Sequence, residues 1–295
     1  MMGQVYATLM KGNVQLTNEE YHSKKEYISK SALDAASKSG LHFKHYVEGP
    51  KSKPTPAMRI GSAFHGLILE PDVFDDEFIY KPEILNARSK DGKEWKARQE
   101  EAGKTVLNED DKEQLEAMKK SLFDCAPAKK LLSAAGHAEQ SYFWEDKETG
   151  LGCKCRPDYL LENGGTIVDL KTTTDASFRG FLKSISNFRY HVQAGWYMNG
   201  LEQATGERPD RFIFIAVEKT APYGVGVYEA DLYMTVNGYD QARIDLEKIA
   251  KWKEEEKYPN YCTEIQQISL PSWMTGAVKG KPPAGYDSIP DITLF

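Results

Sequence analysis

The segment 156–171, Arg-Pro-Asp-Tyr-Leu-Leu-Glu-Asn-Gly-Gly-Thr-Ile-Val-Asp-Leu-Lys, constrains the fold more than any other stretch of the chain. Two short apolar runs flank Asn163-Gly164-Gly165, so the segment predicts an antiparallel pair of strands closed by a tight hairpin. In such a pair Asp158, near the start of the first strand, falls beside Asp169, near the end of the second. Two carboxylates brought together at a sheet end repel each other unless a cation lies between them. A hard divalent ion takes oxygen ligands of this kind. Ile167 and Val168 make the second strand apolar enough to be central, where a charge is costly unless it is used. Lys171 follows Asp169 by two residues and emerges on the same face. Read in isolation, the same residues also suit a turn between two acids and a lysine in a surface salt bridge.

The rest of the chain surrounds this hairpin with helices. Helical patterns cover 29–47, 57–69, 108–135, 178–186, 191–205 and 231–257, with Pro127 dividing the third. Further strand patterns lie at 139–145, 152–161, 211–217 and 224–229. Residues 1–28 read as a poorly patterned lead-in, and 86–104 as a polar excursion carrying Arg88, Lys90, Lys93, Lys96 and Arg98. From Tyr258 the chain becomes Pro/Gly-rich and loses its period. The order of helices, strand meander, helices and strands predicts one α/β domain over 1–257, with a mixed central sheet flanked by helices, and a tail over 258–295. That tail reads as a surface wrap or a partner contact, with Trp273 as the residue to test.

Composition limits the function. Sixteen Tyr, 12 Phe and 5 Trp exclude disorder throughout. No apolar run approaches a bilayer span, and 1–13 does not read as a signal peptide, so the expected compartment is a reducing cytoplasm without membrane attachment. The four cysteines, at 125, 153, 155 and 262, form no zinc spacing. Cys153 and Cys155 fall on one strand face, as packing residues do. A net charge of −6 argues against a general nucleic-acid coat but not against a nucleic-acid enzyme, whose basic lining can coexist with an acidic exterior. No Gly-x-x-x-x-Gly-Lys-[Ser/Thr] phosphate loop is present, and no Ser–His–Asp or Cys–His grouping has convincing context.

Two more patterns join the carboxylates. Gly61-Ser-Ala-Phe-His65 places a glycine and a histidine on one helix face. The glycine permits close approach to a sheet; the histidine reads either as a ring-nitrogen ligand or as a satisfied core residue. Gln193-Ala-Gly-Trp-Tyr197 places an amide and a phenol on one face of a later helix, a pattern that packing alone also produces.

In order these are G-x-x-x-H, P-D, D-x-K and Q-x-x-x-Y. The set resembles the PD-(D/E)xK nuclease superfamily, in its RecB-type branch. It resembles more closely the RecE-like, exonuclease VIII-type phage exonucleases, through Ile28-Ser-Lys-Ser-Ala-Leu33, Met58-Arg-Ile-Gly-Ser-Ala-Phe-His65-Gly and Ala138-Glu139-Gln-Ser-Tyr-Phe-Trp144 leading to Cys155-Arg-Pro-Asp158. The resemblance covers about 28–257. It implies a restriction-endonuclease-like core with Asp158, Asp169, His65, the Leu170 carbonyl and, more loosely, Glu139 as metal ligands. Lys171 corresponds to the lysine that orients the attacking water. Gln193 and Tyr197 correspond to the helix that supports that lysine and touches the substrate backbone.

The cofactor implied is Mg²⁺, with Mn²⁺ as substitute. An iron–sulfur cluster is not expected, because Cys262 is the one cysteine after the Q-x-x-x-Y helix. The activity implied is 5′ to 3′ digestion of linear double-stranded DNA, leaving 3′ overhangs for a RecT-like single-strand annealing protein, by a ring-shaped homo-oligomer of three or four copies. Arg88 and Lys93 are candidates for DNA contacts, though a solvated excursion explains them equally. Arg156, Ser29 and Ser31 are candidates for a terminal 5′ phosphate, and the two serines also read as helix caps. A PD-(D/E)xK endonuclease or helicase-associated nuclease module, and a DNA-binding protein without catalysis on the same fold, are the competing readings.

Overall fold

A computed structural model describes residues 9–50, 54–162, 165–262 and 264–270. The first elements of the described residues are β1 (Gly12–Val14), α1 (Asn18–Ser23), α2 (Lys30–Lys38), α3 (Gly40–Glu48) and α4 (Pro56–Leu69). Then come α5 (Phe74–Glu77), β2 (Phe78–Tyr80), α6 (Lys90–Glu101), β3 (Thr105–Leu107), α7 (Glu109–Asp124) and α8 (Ala126–Leu132). Strands β4 (Gly136–Ala138), β5 (Ser141–Glu145), β6 (Gly152–Cys155), β7 (Tyr159–Leu161) and β8 (Thr166–Thr173) form the meander. Helices α9 (Phe178–Asn187) and α10 (Tyr190–Thr205), strands β9 (Arg211–Glu218) and β10 (Val225–Glu229), and α11 (Leu232–Glu254) complete it. These elements lie in one compact unit ending at Pro259. The described part of the second unit, from Asn260, has no regular secondary structure. No helix among the described residues is long and apolar enough to cross a membrane.

The central sheet runs β10-β9-β8-β7-β4 and is mixed, as expected: β8 and β9 are parallel, the other pairs antiparallel. Both faces of β8 and β9 are covered, which is why they read as nearly continuous apolar runs. Ile167, Phe212, Phe214 and Ala216 face a core completed by α2, α9, α10 and α11, through Leu33, Phe181, Val192 and Leu246. Val168, Leu170, Ile215 and Val217 face the other core, built from α4, α7 and α8 through Ile60, Phe64, Leu115, Met118 and Ala128. A smaller sheet, β1-β5-β6, buries Cys153 and Cys155 against the first core. The cysteines are free packing residues.

Several boundaries differ from the sequence reading. The helix expected over 29–47 is two helices, broken at Ser39, whose extended backbone and side chain end α2 and cap α3 at His42 N. The lead-in is ordered from Leu9: β1 pairs with β5, and Tyr21 and Tyr27 pack on Phe143 in a third cluster. The aromatics that do this are too far apart in sequence to form a period. The polar excursion contains α6, capped by Ser89, with two of its three lysines in i,i+4 pairs with glutamates, Lys90–Glu94 and Lys96–Glu100. Asn108 caps α7 in a reciprocal capping box, and α8 begins afresh around Pro127. The tip residues Asn163 and Gly164, and Trp273 in the tail, lie outside the described residues.

Candidate active site

The register of β7 on β8, Tyr159 opposite Val168 and Leu160 opposite Ile167, makes Asp158 and Asp169 the next facing positions. Asp158 sits just before β7 and its Oδ2 accepts the Leu170 amide at 2.7 Å. Asp169 is fully buried within β8. It faces α10, where Gln193 Nε2 donates to its Oδ2 at 2.5 Å. Lys171, two residues on, ion-pairs with Asp169 Oδ1. Its ammonium also lies 5.2 Å from the centre of the Tyr190 ring.

The other face of β8 contributes through α4. Gly61 brings that helix close, since a Cβ there would lie 3.2 Å from Thr172 Oγ1. One turn later His65 Nδ1 lies 3.6 Å from Asp158 Oδ2. Glu139 arrives from the end of β4, in a left-handed conformation (φ 49°), with its amide donating to the Asp158 carbonyl at 3.1 Å. His65, Glu139 and Asp158 each offer a ligand atom, all within 4.8 Å of one another.

The charges report the strain of this assembly. Burial, then repulsion from Asp158, pushes the Asp169 carboxyl up to about 6 against the pull of Lys171. Burial raises Asp158, opposed by Lys171 and the Leu170 amide. Glu139 rises well above the carboxylate range through burial and Asp158. His65 falls to about 4, by burial and then by Lys171, so its ring is neutral at physiological pH. Burial alone would lower Lys171, but Asp169 and Asp158 outweigh it and raise it. Oxygen donors that repel one another beside one neutral imidazole fit a divalent cation. In this arrangement His65, Glu139 and Asp158 cluster, while Asp169 has each carboxylate oxygen turned to a partner, Lys171 or Gln193.

A cleft of about 300 Å³ runs over these groups, lined by Glu139, Asp158, Lys171, Gln193 and Tyr197 together with Ser29, Lys30, Ser31 and Arg156. Burial raises the Tyr197 phenol well above its usual range. Arg156 spends donors on the protein: Nε and Nη2 bond Ser141 Oγ at 2.9 and 2.7 Å, and Nη2 donates to the Leu16 carbonyl at 2.8 Å. Ser29 caps α2, and its hydroxyl lies 3.3 Å from the Tyr46 hydroxyl; Ser31 is exposed in the cleft. Arg88, just before α6, and Lys93, in its first turn, are exposed and are not among the residues that line this cleft. Sequence reasoning missed Lys30 and Tyr190. Lys30 sits inside the Ile28–Leu33 motif and could have been found there. Tyr190 carries no local signal; only the tertiary fold places it beside Lys171.

A candidate exonuclease from Eubacterium rectale has a similar structure, with a TM-score of 0.63 and 16% identity, covering 90% of this chain and all of that one. An alkaline exonuclease from Laribacter hongkongensis also matches, at a TM-score of 0.26 and 14% identity, covering 57% of this chain and 86% of that one. No curated protein sequence matches the chain. At these identities the first likeness speaks to the fold. A sequence model of PDDEXK-like domains matches residues 29–271 and so takes in every residue of the cluster. The chain therefore belongs to the PDDEXK-like domain family of unknown function DUF3799.

Proposed function

We propose that this protein is a metal-dependent deoxyribonuclease that digests linear double-stranded DNA from its 5′ ends. The observation that carries the reading is the His65–Glu139–Asp158 cluster set against the Asp169–Lys171 pair, where the β7–β8 pairing gives out along β8. A divalent cation held by His65, Asp158 and Glu139, joined by Asp169 and the Leu170 carbonyl, would neutralise phosphodiester charge and lower the pKa of a water. Mg²⁺ is the expected ion, with Mn²⁺ as substitute.

The chain's own groups do the rest. His65 is neutral, so one of its ring nitrogens carries a lone pair that can bind a cation while the other keeps its proton. Lys171 stays protonated, so it orients the nucleophile by donating to it and stabilises the charge that develops on the phosphate. Gln193 holds Asp169 in one rotamer, so that the carboxylate need not reorganise when substrate arrives. Tyr197 stays a protonated phenol that can donate to the substrate backbone. Asp158 and Asp169 set negative charge at the cleft that only a cation would make compatible with a bound phosphate.

The 5′ to 3′ direction, the 3′ overhang, a RecT-like annealing partner and a ring of three or four copies follow from the resemblance to RecE-like exonucleases. A ring also reconciles the net charge of −6 with DNA binding, because only its channel must be basic. The test is digestion of 5′-phosphorylated linear, 5′-hydroxyl linear and closed circular duplex DNA in Mg²⁺. Rapid loss of the phosphorylated linear form with the circle spared is expected. Cutting of the circle would make the protein an endonuclease. Cutting of no form in Mg²⁺ or Mn²⁺ would leave a binding protein on this fold.

A further inference from the structure

The corner that delivers α10 to the site is two residues long, Phe188 and Arg189. Arg189 occupies the left-handed region at φ 53° and ψ 44°, which a residue bearing a Cβ keeps only when its surroundings hold it there. No side chain caps α10. The Arg189 carbonyl instead accepts the first helical amides, Val192 N at 3.1 Å and Gln193 N at 3.3 Å. The start and phase of the helix thus depend on one residue's backbone.

Charges on two neighbouring helices hold that residue. Arg189 Nη2 lies 2.5 Å from Oδ2 of Asp245 on α11, a carboxylate only 3% exposed. Nη1 donates to the Leu33 carbonyl on α2 at 3.3 Å and reaches Asp34 Oδ1 at 3.4 Å. Lys30 pins the other corner residue: its Nζ donates to the Phe188 carbonyl at 2.7 Å and pairs with Asp34 Oδ2 at 2.6 Å. Immediately beyond the corner come the two α10 groups that touch the Asp169–Lys171 pair. Tyr190 lies beside Lys171, and Gln193 bonds Asp169.

We infer that Arg189 is a positioning residue of the site: by tying the α9–α10 corner to Asp34 and Asp245, it sets the phase of α10 that places Gln193 on Asp169 and Tyr190 beside Lys171. Its kinetic consequence rests on the nuclease reading above; its geometric consequence does not. Arg189 touches neither Asp169 nor Lys171 and acts through the helix it starts. Removing its guanidinium should lower turnover and leave DNA affinity nearly unchanged, because the cleft surface stays in place while the reacting groups lose alignment.

The test compares wild type, Arg189→Met, Arg189→Lys and Asp245→Asn on linear duplex DNA in Mg²⁺, well below each melting midpoint. Arg189→Met should lose about 10–100-fold in kcat with KM within about twofold, and Arg189→Lys should recover most of the loss. In a Gln193→Ala background, Arg189→Met should add little, since its effect passes largely through that side chain. Full additivity there, or unchanged kcat in Arg189→Met, would overturn the inference. A readout free of turnover is the side-chain amide of Gln193 in metal-free protein, identified by NMR through its absence in Gln193→Ala. It should move toward the position of a free glutamine amide in Arg189→Met and stay put in Arg189→Lys. An unmoved resonance in Arg189→Met overturns the inference even if the wild type cuts no DNA. Wild-type inactivity with a moved resonance would instead retain the positioning role and discard the nuclease reading.

Discussion

Asp169 and Lys171 form a buried pair, and Asp158 stands beside it in the cation cluster. Removing Lys171 leaves Asp169 unpaired next to Asp158, whereas Asn at 158 removes a charge from the cation cluster and keeps the Leu170 amide bonded. Lys171→Ala is expected to lower kcat by about 10²–10³-fold, and Asp158→Asn to abolish Mg²⁺-dependent cleavage, with melting curves still cooperative. Cleavage surviving both changes would place the chemistry elsewhere. Asp169 and His65 contribute with opposite signs to the pH dependence of the metal-free protein. The folded pKa of Asp169, about 6, lies above the ordinary 3.8, so the folded state binds the proton more tightly than the unfolded chain. The stability this contributes is full below about 4 and is lost as pH rises through about 6. His65, lowered from 6.5 to about 4, acts with the opposite sign over the same window. The thermal midpoint of wild type relative to Asp169→Asn, both in EDTA, should therefore fall over that window, and saturating Mg²⁺ should flatten the fall. A flat difference in EDTA would mean that Asp169 keeps an ordinary carboxyl pKa.

At the scale of elements, α10 and α11 approach too closely for any side chain at Gly238. A Cβ there would lie 1.8 Å from the His191 carbonyl oxygen, two residues before Gln193. Gly238→Ala must push the helices apart or shift α10 along its axis. It is expected to cost about 1–3 kcal/mol of stability and to reduce activity as well, because α10 carries Gln193 and Tyr197. Chemical denaturation and initial rates measured together check this; a neutral substitution would mean that the helices adjust freely. A second element-scale case is Lys154 on β6. Its ammonium is buried, donating to the Tyr21 and Lys24 carbonyls at 2.5 and 2.8 Å, so it straps the N-terminal lead-in to the small sheet. Burial lowers it to about 8, below the usual 10.5, so the unfolded chain holds this proton longer as pH rises. Its contribution to stability therefore increases from about pH 8 upward, and Lys154→Met should erase that increment in midpoints measured between pH 7 and 10.

For the whole molecule, the three buried clusters lie between Leu9 and Tyr258. A chain ended at Pro259 is therefore expected to unfold cooperatively within a few degrees of the full chain, as about that shift corresponds to under 1 kcal/mol. Loss of cooperativity would show that the tail completes the fold. Light scattering of the same pair of proteins checks the expected ring, at three or four times the chain mass. A ring that persists without the tail removes the tail from the subunit interface.

The hairpin, its facing aspartates, the lysine two residues on and the helix with Gln193 and Tyr197 were legible because each depends on short-range periodicity. Alternation on a strand and fourfold spacing on a helix fix which side chains share a face. The break at Ser39 was not legible, since the apolar spacing runs on across it, and neither was the ordered lead-in, whose Tyr21 and Tyr27 find Phe143 only through the fold. The sequence by itself determined the residue types of the site and their order along the chain. Only the tertiary structure decided that His65 and Glu139 meet Asp158 while Asp169 turns to Lys171 and Gln193, and that Arg189 anchors the helix behind them. Those contacts join residues tens of positions apart, and long-range packing, not local spacing, sets their distances.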